Sequence, residues 1–224
     1  MDWTALWLSV RLSASTMAIL LAIGVPIAYW LAFSTWRAKF LVEAVVALPI
    51  VLPPTVLGFY ILMAIGPASP VGRAYATIFG HGLPFSFQGL LVASVLYSLP
   101  FAVQPFSAAF AAVDPRLLET SWCLGVSRAS TFVRVVLPLS VRGLVTGMVL
   151  SFAHTLGEFG VVLMVGGNVP GVTRTVSISI YDSVQALDYQ AAWHTSWLLL
   201  AISFAILAVT YAMQRTMWAA WPVK

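Results

Sequence analysis

The sequence has 224 residues, of which 61% are hydrophobic and only 8% charged, with a mean hydropathy of +0.96. Soluble domains carry roughly a quarter charged residues, so this is an all-α integral membrane protein, and a net charge of +4 is too small to suggest nucleic acid as a partner. Cys123 is the single cysteine, which excludes an intrachain disulfide and any thiolate metal cluster.

The chain opens Met1-Asp2-Trp3, an acid where a cleaved secretory signal needs a basic region, so the first apolar run is expected to remain a membrane helix. A spanning helix needs roughly 20 apolar residues, and five stretches meet that, at about 7–33, 40–66, 87–110, 140–167 and 193–214. The first run is long enough to hold an extra kink or surface helix, so six spans stay open, and residues 1–224 read as one transmembrane domain. Between the spans lie a basic link (Ser34 to Lys39), a Gly/Pro-rich loop (Pro67 to Phe85), a charged run (Asp114 to Pro138) and a polar loop (Asn168 to Tyr189).

Five spans put the termini on opposite sides. Lys and Arg are held back on the cytoplasmic face of membrane proteins. Arg37, Lys39, Arg116, Arg128, Arg134, Arg142, Arg215 and Lys224 fall on one side; Arg73 and Arg174 fall on the other, with Arg11 inside the first span. The charged run is therefore expected to be cytoplasmic, with the N-terminus outside and the C-terminus inside.

The second span contains Leu48-Pro49 and then Pro53-Pro54. Proline removes a backbone donor and clashes with the preceding turn, so the helix should kink or break there. Two readings stand: a pore-lining or hinge helix at Pro53 and Pro54, or an ordinary membrane kink. The fourth span holds His154 and Glu158, four residues apart and so expected on one helical face. An ionisable residue in a span is a candidate for lining or gating a translocation path, and a hydrogen bond between helices is the alternative. No third ligand stands near this pair, and its order is not His-Glu-x-x-His, so no metal site is expected.

There is no GxxxxGK[ST] phosphate loop, no Gly-x-Ser-x-Gly elbow and no carboxylate cluster, so the chain carries neither a nucleotide site nor the parts of an enzyme. No internal repeat suggests a two-half secondary transporter.

The run from Asp114 to Pro138 predicts two short helices. Asp114 caps the first, Pro115 fits its first position and Gly125 ends it in a left-handed turn. Ser127 caps the second, which runs through Phe132 and Val136 until Pro138 stops it. Leu117, Leu118, Ser121 and Trp122 repeat at helical spacing and give the first helix an apolar face.

Glu119-Thr120-Ser121, three residues, Gly125, nine residues, Val135, one residue and Leu137-Pro138 resemble the EAA loop of ABC importer permeases, E-A-A-x3-G-x9-I-x-L-P. Thr120 and Ser121 replace the two alanines, and Val135 replaces the isoleucine. LPIVLPPTVLGFYIL in the second span, TLGEFGVVLMVGGN in the fourth and VPGVTRTVSISIYDSVQ after it resemble the molybdate permeases of that superfamily, and the likeness runs from about Leu31 onward. Tungstate and sulfate permeases share much of this outline.

The resemblance implies a MetI-like permease fold whose cytoplasmic coupling helices sit in a groove of a separate ATPase. Glu119 and Gly125 would make that contact, within a loop that also holds Ser121, Leu137 and Pro138. Leu117, Leu118 and Trp122 are neighbouring candidates from their helical spacing. It further implies a second copy of the chain, an ATPase dimer that binds the ATP and Mg this chain lacks, and an oxyanion-binding protein outside. The setting is the cell inner membrane with its lipid. Glu158 then suits packing or gating better than ligand binding, and Arg174 in the outer loop either draws in the anion, meets an acidic patch on the binding protein or is merely solvated. With no regulatory segment expected after Lys224, inhibition by substrate would act through the ATPase.

Overall fold

The computed structural model describes the backbone of residues 2–220 and the side chains of residues 2–212. Lys224 and the Arg215 side chain, both counted in the charge asymmetry, lie outside the described residues. Every regular element among the described residues is helical: α1 (Trp3–Phe33), α2 (Lys39–Val51), α3 (Pro54–Ile65), α4 (Pro70–Phe79), α5 (Phe87–Ala111), α6 (Pro115–Cys123), α7 (Arg128–Thr131), a π-helical turn (Phe132–Val136), α8 (Leu137–Leu156), α9 (Gly160–Gly166), α10 (Val176–Gln185) and α11 (Tyr189–Ala220).

Four helices are long and apolar enough to cross a membrane, and a fifth crossing results if the bent pair α2 and α3 is one span. Of these, α5 is the axial one: 56% of its most apolar window is buried, against 28% for α1 and 11% for α11. Ala102, Val103, Phe106 and Phe110 of α5 are wholly enclosed between α1 and α8, while Ala93 is buried against α3 and α9. Lipid tails are as apolar as leucine, so spans associate through close van der Waals contact, and small residues permit it. Gly147 of α8 is such a residue, because a Cβ there would lie 2.6 Å from the Phe106 ring. One turn earlier a Cβ on Gly143 would collide with Ala109, and beside it Ser140 Oγ donates to the Ala109 carbonyl at 3.2 Å.

The prolines act more strongly than a kink in the second span. Leu52 and Pro53 are both extended, with ψ of 136° and 135°, and α3 leaves α2 at 115°. A residue before proline is driven out of the α region, and Pro53-Pro54 imposes that twice running. The expected single span of 40–66 is thus two helices of 13 and 12 residues.

The fourth span also differs from expectation, at both ends. Pro138 does not stop a helix but rides at the start of α8, and residues 128–156 form one continuous rod. The π turn makes this possible: the Leu137 N–H reaches back five residues to the Phe132 carbonyl, which widens the turn that Pro138 would otherwise clash with. At the far end α8 stops at Leu156, and Gly157 to Phe159 break the chain before α9. The two expected loops contain helices as well: α4, capped by Ser69, and α10, capped by Thr175 and tied to α1 by a 2.8 Å bond from the Val176 N–H to Ser9 Oγ.

Candidate functional site

Two places in the fold carry candidate residues, one at each end of the 128–156 rod. At the first, α6 and α7 form a knob. Asp114 accepts from the Arg116 N–H at 2.9 Å, and Pro115 fills the first helical position, where no donor is missed. The helix closes with Gly125 at φ +76°, while the Gly125 N–H bonds the Trp122 carbonyl at 2.9 Å and the Val126 N–H the Ser121 carbonyl at 3.1 Å. That pair of bonds is a Schellman cap, which needs a left-handed residue at the turn. Nothing lies within 4 Å of where a Gly125 Cβ would project, so the face over the cap is open.

The knob's residues divide by what they touch. Glu119, Gly125, Leu117 and Trp122 are exposed, and Trp122 lies under the Arg128 guanidinium at 5.6 Å. Leu118 is 4% exposed and packs with Phe110, Val113 and Val136 in the main core, so it anchors the knob to the bundle. Its expected place among the surface contacts is corrected by that burial. Leu137 packs against the same core and Pro138 is exposed. Above the π turn the rings of Tyr29, Phe110 and Phe132 meet edge to face at 5.0 to 6.3 Å, which fastens α1, α5 and the rod together.

The two residues that depart from the alanine pair are both satisfied inside the chain. Ser121 Oγ lies 2.8 Å from Thr131 Oγ1 and so clips α6 to α7, while Thr120 Oγ1 donates to the Arg116 carbonyl at 2.7 Å. Neither needs a partner's groove to account for it.

The second place is the break after α8. Glu158 is 6% exposed and accepts from the Val161 N–H at 2.9 Å, capping the short helix α9. His154 is still in α8 and Glu158 is past its end, so they do not share a helical face as the spacing predicted. His154 stacks on Phe101 at 3.9 Å and 23°, and its Nδ1 lies 3.0 Å from Ser98 Oγ. Ser98 Oγ is also 2.9 Å from Thr155 Oγ1, which donates to the Ser151 carbonyl at 2.9 Å. Only one proton order uses all three contacts: His154 Nδ1–H donates to Ser98, Ser98 to Thr155 and Thr155 to the backbone. The imidazole is thereby held with Nδ1 protonated and Nε2 left for other partners.

This break abuts the one in the second span. A Cβ on Gly160 would lie 2.6 Å from Pro54 Cβ, and one on Gly58 would lie 2.7 Å from Met164 Cβ, so α3 and α9 touch backbone to backbone. Pro53, Pro54 and Glu158 therefore belong to one junction of interrupted helices. Irregular backbone at membrane depth is tolerated only where protein encloses it or water reaches it. Tyr97, Phe101 and the exposed Gln104 follow each other at helical spacing on α5, the first two against His154.

Sequence reasoning did not single out Ser98, Tyr97, Phe101, Gln104 or Gly160. Serine in an apolar span was the available signal for Ser98, and nothing local marks the rest. Among the described residues no three His, Cys, Asp or Glu side chains come together as a metal site.

Arg174 stands apart, in the segment before α10. Its Nε donates to Asn168 Oδ1 at 2.6 Å and its Nη2 pairs with Asp182 Oδ2 at 3.4 Å, while Asn168 also donates to Asp182 at 2.7 Å. Arg174 and Asp182 line an open cleft of about 560 Å³ together with Asp2 and Thr4. Two carboxylates against one guanidinium give the cleft no net attraction for a dianion.

A family model described as "Binding-protein-dependent transport system inner membrane component" matches residues 24–217. The chain is 49% identical over 215 residues to the molybdenum transport system permease protein ModB of Azotobacter vinelandii, covering 96% of this chain and 95% of that one. It is 34% identical over 184 residues to the ModB protein of Escherichia coli K12 (82% and 80% of the two chains) and 31% identical over 213 residues to a putative molybdenum permease, YvgM, of Bacillus subtilis (95% and 93%). Its fold resembles a chain of the MetNI methionine ABC transporter in inward-facing form, with a TM-score of 0.74 at 17% identity, covering 95% of this chain and 94% of that one. A bacterial alginate ABC transporter, solved with a periplasmic protein, gives a TM-score of 0.74 at 16% identity over 96% and 78% of the two chains.

Proposed function

From the premise that the chain belongs to the family of binding-protein-dependent transport system inner membrane components, we propose that it is the permease subunit of an ATP-driven importer of molybdate. The relatives' names supply the substrate, and their alignments cover nearly the whole chain. The observation that carries the mechanism is the knob: Glu119 and the open Gly125 cap face outward, while Leu118 and the Ser121–Thr131 bond hold the same helix to the bundle.

The knob end is the cytoplasmic one, in keeping with the Lys and Arg gathered there, and the N-terminus lies outside. A separate ATPase dimer carrying ATP and Mg receives α6 on its surface, two copies of the chain enclose the path, and a binding protein delivers the oxyanion from outside. The chain lacks a phosphate loop, so its work is mechanical. Moving a two-state path from 1:99 to 99:1 takes about 5.5 kcal/mol of differential binding, which the ATPase must deliver through the knob. The rod of residues 128–156, one continuous helix, carries that displacement from Ser127 to the break at Gly157, beside the junction at Glu158 and Pro54. At the junction α9 and α3 are short and touch through glycines, so a shift of the rod's end moves them as a pair. A dianion must pass without being trapped, so the path needs neutral donors rather than cations. Gln104 is of that kind, whereas neutral His154, its Nδ1–H spent on Ser98, presents only an acceptor, and Glu158 serves as the α9 cap and gate rather than a ligand.

Glu158→Gln tests the gate. Gln retains the acceptor for the Val161 N–H, so the protein should reach normal abundance while molybdate uptake changes. Uptake and abundance falling in proportion would reduce Glu158 to a packing residue.

A further inference from the structure

Neither the knob nor the junction uses Arg11. It lies on the exposed face of α1, in line with the exposed Trp3 and Trp7 at four-residue spacing, and Leu21 continues that apolar surface. Trp7 and Trp30 are 23 residues apart, about 34 Å along a helix, which matches a hydrocarbon core of about 30 Å bracketed by indoles at the two interfaces. Arg11 is thus about 6 Å inside the Trp7 level. Helical side chains lean toward the N-terminus, so the Arg11 side chain rises toward the headgroups. Its guanidinium sits 4.4 Å over the ring of Phe87, the first residue of α5. Among the described residues no carboxylate lies within ion-pair distance of it.

We propose that Arg11, steadied on Phe87 and flanked by Trp7, binds the phosphate of an anionic phospholipid in the leaflet at the end opposite the knob. A guanidinium at this depth is costly unless it meets a phosphate, and the ring beneath it supplies attraction but no countercharge. The planar fork offers two donors to two phosphate oxygens, which an ammonium does not. The surface around it is apolar and faces outward, which suits an acyl chain and not a free oxyanion.

The test uses the full chain, with its accompanying subunits, in phosphatidylcholine nanodiscs doped with phosphatidylglycerol, and counts retained phosphatidylglycerol by native mass spectrometry. Arg11→Gln should lower retention about fivefold, the worth of one basic residue at an anionic surface. Arg11→Lys and Phe87→Leu, which keep the charge, should give intermediate losses, and Arg73→Gln should give none. Inorganic phosphate added to discs without phosphatidylglycerol should leave thermal unfolding unchanged. Unaltered retention in Arg11→Gln overturns the proposal. So does stabilisation by inorganic phosphate equal to that by the lipid, or an Arg11→Gln variant that parts two copies of the chain while its lipid count holds. If Arg11→Gln does not fold, unaltered retention in both Arg11→Lys and Phe87→Leu overturns it equally.

Discussion

Gly125 holds a left-handed backbone over empty space, and those two facts separate its structural cost from its function. Gly125→Ala meets no neighbour, so it should cost only about 1 kcal/mol of backbone strain and leave the protein folded. Placed against a partner, the added methyl should weaken binding of the ATPase by on the order of tenfold, as should Glu119→Gln, measured by co-purification and by coupled ATP hydrolysis. Leu117 and Leu118 give the opposite comparison on adjacent residues. Leu118→Ala empties a core site and should destabilise the chain by about 2–5 kcal/mol in thermal unfolding, whereas Leu117→Ala should stay within about 0.5 kcal/mol and act on assembly instead. Ser121→Ala removes the clip to Thr131 and should cost about 1 kcal/mol. Equal destabilisation by the two leucine variants would contradict the division of the knob into an anchored face and an open face.

At the scale of elements, the junction between α3 and α9 depends on contacts that admit no side chain. Gly160→Ala should drive a methyl into Pro54 and separate the two broken helices, lowering uptake while α1, α5 and α8 remain packed, a difference seen by comparing transport with thermal unfolding. The knob was legible in the sequence because each of its devices is local: Asp114 capping, Pro115 at the first position, Gly125 in the turn and Ser127 starting the next helix all act within four residues. The continuation through Pro138 was not legible, because it rests on a π turn held by Tyr29 and Phe110 from two other helices. Likewise the prolines of the second span announced a kink or a break, but not the 115° angle at which α3, packed on α9, leaves α2. The pairing of His154 with Glu158 failed for a related reason: Gly157 ends α8 between them, and an apolar glycine-containing run does not distinguish a helix from its interruption.

Across the whole molecule, the rod of residues 128–156 sets the knob and the junction at its two ends, so force applied to one reaches the other through a single helix packed on α5 by Gly143 and Gly147. The same arrangement leaves α2, α3 and α11 with broad exposed apolar faces, from Val45 and Val51 to Phe204 and Tyr211, which lipid and a second copy of the chain would cover. What this predicts as a unit is a transporter in which oxyanion delivery and ATP hydrolysis are linked through Glu119 and Gly125. The direct measurement is ATP hydrolysis by the reconstituted complex with its binding protein, loaded in turn with molybdate, tungstate and sulfate, in the wild type and in Gly125→Ala. The account predicts stimulation by molybdate in the wild type, weaker stimulation by sulfate, and hydrolysis no longer stimulated by molybdate in the variant. Equal stimulation by all three anions, or an unaltered molybdate response in Gly125→Ala, would contradict it.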